Sequence, residues 1–345
     1  MRAALWATLL AGLVMTSPAT SAEPTYKVLD FPDLAGWDDD DHAAALDVFR
    51  NTCMDMDAPD WQSLCAVADN IENPRAFFEL FFRPVLIEDG QAALFTGYFE
   101  PELDGSLRAD GRFRHPVYRM PPEARRTAQW LSRREIEEGP LLQGRGLEIA
   151  WVDDPVELFF LQVQGSGRIR LPNGRTIRVG YAGSNGHDYR SIGVELVRRG
   201  VYQPHQVSAQ VIKSWVSRNP LEGQELLRHN PSYVFFREVS EVPAERGPLG
   251  AMNRSVTTMR TVAVDPRYVP LGAPVWVEKG GESPLHRLMI AQDTGSAIKG
   301  AQRADIFFGT GDLAGRAAGR LRDPGRMLVL LPIQRAYALL PEGEQ

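Results

Sequence analysis

Little in this chain serves metal, redox or nucleotide chemistry. Only two of its 345 residues are cysteines, Cys53 and Cys65, and only six are histidines. The histidines are scattered and none pairs with the cysteines, so the ligand spacing of a zinc site is missing. His187, in Gly186-His187-Asp188, is the one histidine near a motif, and it reads as positioning its neighbours. No metal and no cofactor is expected. Three glycine-rich stretches fail on spacing. Gly295 to Gly300 is not a phosphate loop, because Ala301 stands where the lysine belongs. Gly309-Thr310-Gly311 with Gly315 is one residue too long for a dinucleotide fingerprint and lacks a βαβ unit. Gln164-Gly165-Ser166-Gly167 does not space its glycines as a nucleophile elbow does. Basic runs are absent too, and the formal charge is −6, which excludes nucleic acid as a partner. Internal repeats and low-complexity tracts are lacking.

What is present begins with a leader. Residues 1–22 carry one positive charge, an apolar core from Ala3 to Met15 and small residues before Glu23. That pattern predicts a secretory signal cleaved after Ala22, with an apolar run too short to span a bilayer. The segment removes Arg2 and no acid, so the charge moves from −6 to −7. No cysteine closes the segment, so no lipid anchor is evident. Export to an oxidising compartment predicts a disulfide between Cys53 and Cys65, two buried free thiols being the alternative.

The remainder is 43% apolar and long enough for two domains. Helical spacing runs from Asp41 to Asn70, with stripes through Leu46 and Phe49 and through Trp61 and Leu64. A helix burying Phe77 and Phe78 precedes a strand from Phe82 to Ile87, and Ala92–Phe99 reads as another strand. A turn falls at Asp110-Gly111, and the charged stretch Arg125–Glu138 reads as a solvated helical face. Strands are expected at Glu148–Trp151, Glu157–Val163, Arg168–Leu171 and Thr176–Tyr181. Helices follow over Tyr189–Arg199, Pro204–Ser217 and after Asn219-Pro220. From Tyr233 strands resume and continue to Leu331.

The stretch from Leu288 to Gly309 carries the clearest chemistry. Leu288-Met289-Ile290-Ala291 reads as a buried strand that delivers Asp293. A loop punctuated by glycine and carrying Lys299 leads to a second strand, Ala304 to Phe308. Alternation puts Asp305 on the face of Phe307, with Ile306 and Phe308 opposite. Carboxylates among apolar strand residues are costly to bury unless paired or raised in pKa. Asp293, Asp305 and Lys299 therefore form a candidate acid/base site; turn-capping aspartates are the alternative. Asp265 ends another strand-like run, Val262-Ala263-Val264, before Pro266.

This set of three aspartates resembles the three-aspartate domain of bacterial cell-wall lytic enzymes. FTGYFEP (Phe95 to Pro101), HPVYRMP (His115 to Pro121), LQVQGSGRI (Leu161 to Ile169), YAGSNGHDYRSIG (Tyr181 to Gly193) and NPSYVFFRE (Asn230 to Glu238) precede it. In this order they resemble the membrane-bound lytic murein transglycosylase A family, over roughly Phe95 to Pro332. The resemblance implies a mainly β fold with helices. Residues 23–100 and 237–335 would form a double-psi β-barrel from both chain ends, with the three-aspartate part at about 250–333. Residues 101–236 would be an inserted β-rich domain ending in helices, with a groove between the two. The implied reaction cleaves the β-1,4 bond between N-acetylmuramic acid and N-acetylglucosamine and leaves a 1,6-anhydro end, with peptidoglycan glycan strands as partner. Asp305 takes the acid/base role, Asp293 stays ionised beside Lys299, and Asp265 is structural. Thr96, Gly97, Tyr98, Gln164, Ser166, Tyr181, Asn185, Tyr189 and Lys299 line the groove, with Tyr98 stacking a sugar face. For Gly97, a bulge in the strand is the plain reading. The family's best-known members are outer-membrane lipoproteins; without the anchor cysteine this chain departs from them, and the mature protein is expected free in the periplasm, association with outer membrane or wall being the alternative. A barwin or endoglucanase-type hydrolase using both aspartates, or a murein-binding module without catalysis, are the rival readings.

Overall fold

The computed structural model describes residues 23–53 and 55–340; the leader expected over residues 1–22 lies outside them. Its strands leave one sheet, build a second and return. β1 (Thr25–Val28), β2 (Phe82–Glu88) and β3 (Leu94–Glu100) belong to the first sheet. β4 (Glu102–Ser106), β5 (His115–Tyr118), β6 (Glu148–Val152), β7 (Gly167–Arg170), β8 (Thr176–Ser184) and β9 (Val234–Val239) form the second. β10 (Thr261–Val264), β11 (Pro274–Lys279), β12 (Leu285–Thr294), β13 (Arg303–Thr310), β14 (Arg322–Asp323) and β15 (Gly325–Pro332) complete the first.

The nine-stranded sheet runs β1-β2-β15-β11-β12-β10-β13-β3-β14, and the six-stranded one β5-β6-β4-β7-β8-β9. In the larger sheet β10 is parallel to β12 and β13 is parallel to β3, while the other neighbours are antiparallel. Early and late strands thus interleave. The molecule is a mixed α/β structure, and the closed double-psi barrel is not found among the described residues. β1 has four residues and pairs only with β2; β14 has two and pairs only with β3. Such short edges leave the sheet open.

The large core explains the continuous apolar runs of β10 to β12, which are covered on both faces. Phe49, Trp61, Phe77, Phe78 and Phe82 cluster there, with Phe77 and Phe82 centroids 5.6 Å apart. They come from helices His42–Cys53, Pro59–Ala68 and Pro74–Phe81 and the start of β2. The third of these begins with Asn73, whose side chain accepts from the Ala76 amide, and with Pro74 at the first position. A Cys53–Cys65 disulfide joins the first two, with Cα atoms 5.4 Å apart. Between the sheets, Glu100 is fully buried. Arg168 Nε lies 2.8 Å and Arg178 Nε 2.9 Å from its carboxyl, and the Thr310 hydroxyl donates to it.

Three expectations fail locally. Glu157–Val163 is helix, within Pro155–Gln164, not strand. Asp154 caps it by accepting from the Val156 amide, Pro155 fits the first helical position, and Gly165 ends it at φ 77°. The stretch Arg125–Glu138 is not one solvated helix. Only Arg133–Glu138 is helical beyond Arg125, started by a capping box of Ser132 and Glu135, and Arg133 is buried. A helix, Gly311–Ala318, interrupts the strands expected up to Leu331.

Candidate active site

A cleft of about 680 Å³ opens between the two sheets. β10, β12, β13 and β3 form its floor, and β8, β9 and the end of helix Pro155–Gln164 face them. Alternation along β13 decides what enters it. Ala304 and Ile306 pack into the large core, whereas on the other face Asp305 lines the cleft and Phe307 is buried beside it against Tyr98. The parallel register sets Thr96 of β3 opposite Asp305.

That register builds a short relay. Arg303 Nη2 donates to Thr96 Oγ1 at 2.8 Å. An arginine only donates, so the threonine's own proton is directed elsewhere, onto Asp305 Oδ1 at 2.5 Å. Arg303 is itself held by the Ala304 carbonyl at 2.7 Å. Loss of hydration raises the Asp305 pKa above the usual carboxylate value, against the opposing pull of Thr96 and Arg303.

Asp293 reaches the same cleft through a break in register. Val262 pairs with Ala291, but Ala263 pairs with Asp293, so Gln292 is passed over. Gln292 turns inward and bonds Thr261 and Thr52. Asp293 Oδ1 accepts from the amides of Ala251 at 3.0 Å and Thr294 at 2.9 Å. Desolvation nevertheless pushes its carboxyl up to about 6, with the charge of Asp305 adding to the effect. The amide of Ala251 can come this close because Gly250 has no side chain. A Cβ there would lie 2.7 Å from the Gln292 carbonyl oxygen and 3.3 Å from Asp293 Cγ.

The other sequence-derived residues divide. Gln164, Ser166, Tyr181 and Tyr189 line the cleft, and Tyr181 is exposed. Gln164 also accepts from the Phe99 amide at 3.0 Å, which ties the helix end to β3. Tyr98 lines the cleft but cannot stack a sugar as expected. Its ring is buried against Phe307, centroids 5.1 Å apart, because the register pairs those two positions. Its buried hydroxyl is directed at the Asp293 carboxyl, and burial, followed by the charge of Asp293 and the hydrogen bond to it, holds its pKa well above the usual value. Thr96 sits beneath Asp305, out of direct reach of the cleft. Asn185 is a buried tie, not a groove residue: its amide nitrogen donates to the Leu131 and Pro231 carbonyls at 2.8 and 2.9 Å. Gly97 faces away, where a Cβ would meet Ala318 Cα at 2.8 Å. Lys299 is exposed on its loop and does not line the cleft, so the charge of Asp293 faces backbone amides instead. Asp265 is buried; against the opposing effect of burial, Arg267 and the Gly300 amide hold it down to about 2. It anchors the glycine loop.

Sequence reasoning missed Arg303, Arg237, Asn253 and the Gly250-Ala251 turn. Arg303 had a signal, since two residues before Asp305 on a strand means the same face. Among the described residues no group of three or more histidine, cysteine, aspartate or glutamate side chains is arranged to hold a metal.

Residues 94–237 match the MltA specific insert domain and residues 260–331 match the 3D domain. The membrane-bound lytic murein transglycosylase A of Vibrio cholerae is 35% identical over 266 residues, covering 73% of this chain and 70% of that protein. The crystal structure of a membrane-bound lytic murein transglycosylase from Agrobacterium tumefaciens superposes with a TM-score of 0.81 at 32% identity, covering 92% of this chain and all of that one. E. coli MltA with bound chitohexaose gives a TM-score of 0.73 at 30% identity, over 89% of this chain and 94% of that one. On this identity and coverage, the chain belongs to the membrane-bound lytic murein transglycosylase A family.

Proposed function

We propose that this chain is a peptidoglycan lytic transglycosylase in which Asp305 is the single acid and base. The observation that carries the assignment is a carboxyl raised by desolvation on the floor of an inter-sheet cleft, with one oxygen fixed by Thr96. Asp305 gives its proton to the oxygen of the β-1,4 bond as the bond to muramic C1 breaks. The muramic C6 hydroxyl then forms the new bond to C1 and yields its proton to the Asp305 carboxylate. The products are a free N-acetylglucosamine hydroxyl and a 1,6-anhydro ring, and Asp305 ends as it began. An internal nucleophile makes the second carboxylate of an ordinary glycosidase unnecessary. Asp293 keeps most of its charge at neutral pH and steadies the positive character of C1.

The bound chitohexaose in the E. coli relative supports a glycan in the cleft. The leader pattern supports the periplasm as its location; no helix among the described residues is long and apolar enough to cross a membrane. The parallel pairs β10–β12 and β13–β3 support a double-psi arrangement of residues 23–100 and 237–335, with residues 101–236 as the inserted domain. Mass spectrometry of fragments released from purified murein tests the reading. The wild type should release anhydromuramic ends, and Asp305→Asn should bind murein while losing nearly all turnover. Reducing ends would instead mark a two-aspartate hydrolase, and no soluble fragments would mark a binding module.

A further inference from the structure

Among the described residues three arginines line the cleft, and two are fully engaged by the protein. Arg133 is buried, donates to the Asn230 and Ser232 carbonyls at 3.1 and 2.8 Å, and lies over the Phe159 ring. Arg303 is taken up by Thr96 and the Ala304 carbonyl. Arg237 differs. It stands on β9 opposite Gly180 and lines the cleft. Its side chain is 42% exposed, and its ion pair is with Glu241, itself 52% exposed, at 2.7 Å. Such a pair contributes little and is readily exchanged for a ligand. Arg237 Nη2 also lies 3.5 Å from Asn253 Oδ1, on the same turn whose Ala251 amide holds Asp293. The turn is pinned at its other end by Arg254 on Asp55. Arg237 therefore lines the same cleft as the reacting carboxylates and touches the turn that holds one of them, Asp293.

The sugars of a murein strand are uncharged, and its carboxylates lie on the peptide stems attached to muramic acid. A half-exposed guanidinium whose only ion pair is exposed and exchangeable has no charged partner in the glycan itself, whereas its planar fork fits a carboxylate. We propose that Arg237, with Asn253 beside it, receives a stem-peptide carboxylate and so sets a preference for peptide-bearing over neutral strands. This rests on the transglycosylase reading of the same cleft.

The test compares intact murein with murein whose stem carboxyls have been converted to amides by carbodiimide and ammonia. Anhydromuramic ends are the readout for both. The wild type should favour the intact strands in kcat/KM by about tenfold, the fold-change of one charge-assisted contact, with KM moving more than kcat. Arg237→Gln should bring that ratio close to one, and Arg237→Lys should retain part of it. A wild-type ratio of one overturns the assignment without any variant, and so does a ratio that Arg237→Gln leaves at its wild-type value. Absence of anhydro ends from both substrates with the wild type overturns the transglycosylase reading and this inference with it.

Discussion

The relay from Arg303 through Thr96 to Asp305 gives the sharpest test of how the acid is tuned. Thr96→Val keeps the shape of the side chain and removes the hydroxyl that stands 2.5 Å from Asp305 Oδ1. A hydrogen bond to a charged group contributes roughly 1.5–3 kcal/mol, and here it favours the ionised form. Removing it makes proton loss from Asp305 about tenfold harder or more. Asp305 must start the reaction protonated, so the alkaline limb of kcat/KM for anhydro-end release should move to higher pH by about one unit or more. The variant should also melt lower by the equivalent of about 1–3 kcal/mol, because one Arg303 nitrogen loses its acceptor. Thr96→Ser restores the hydroxyl and should restore the wild-type limb. A pH profile of Thr96→Val that overlays the wild type, or a serine variant that fails to rescue it, would refute the relay.

Asp293 should show strain stored at the site. Its folded pKa of about 6 lies above the 3.8 usual for an exposed aspartate, so charging it costs stability. That cost is fully present above pH 6, at most about 3 kcal/mol, and disappears as pH falls below the unfolded value, where both states are protonated. Asp293→Asn should therefore raise Tm at pH 7.5, lose the gain near pH 3.5, and lower but not abolish turnover; a Tm below wild type at pH 7.5 would count against the desolvation account. The Cys53–Cys65 bridge closes a loop with a sequence separation of 12, a length at which a disulfide contributes about 3 kcal/mol in the chain-entropy model. Reductant should release both thiols and lower Tm, and an unchanged Tm after confirmed release would contradict this.

Much of the site was legible because strand alternation is a strong rule. It put Asp305 and Phe307 on one face from the sequence alone, and the apolar run before Asp293 marked a buried strand. Where the outcome depended on one extra residue, alternation had nothing to offer. The passed-over Gln292 is such a case, since nothing local marks the break that turns Asp293 toward the cleft. Tyr98 was misread because its burial comes from Phe307, a neighbour across the sheet and far away in the chain. Lys299 was misread because closeness along a glycine loop does not decide which way a side chain points. The seven residues Glu157–Val163 were taken for a strand on their apolar character, although Asp154-Pro155 before them and Gly165 after them are helix boundary signals.

The interleaving of early and late strands has a consequence for the chain as it is made. Thr96 and Asp305 are separated by 209 positions, and β3 finds its parallel partner only when β13 exists. No fragment ending before residue 303 holds both halves of the site, however well its first sheet strands or its inserted unit fold. Products truncated before β13 are thus inert, and the capacity to cut the wall arrives only with about the last eighth of the polypeptide.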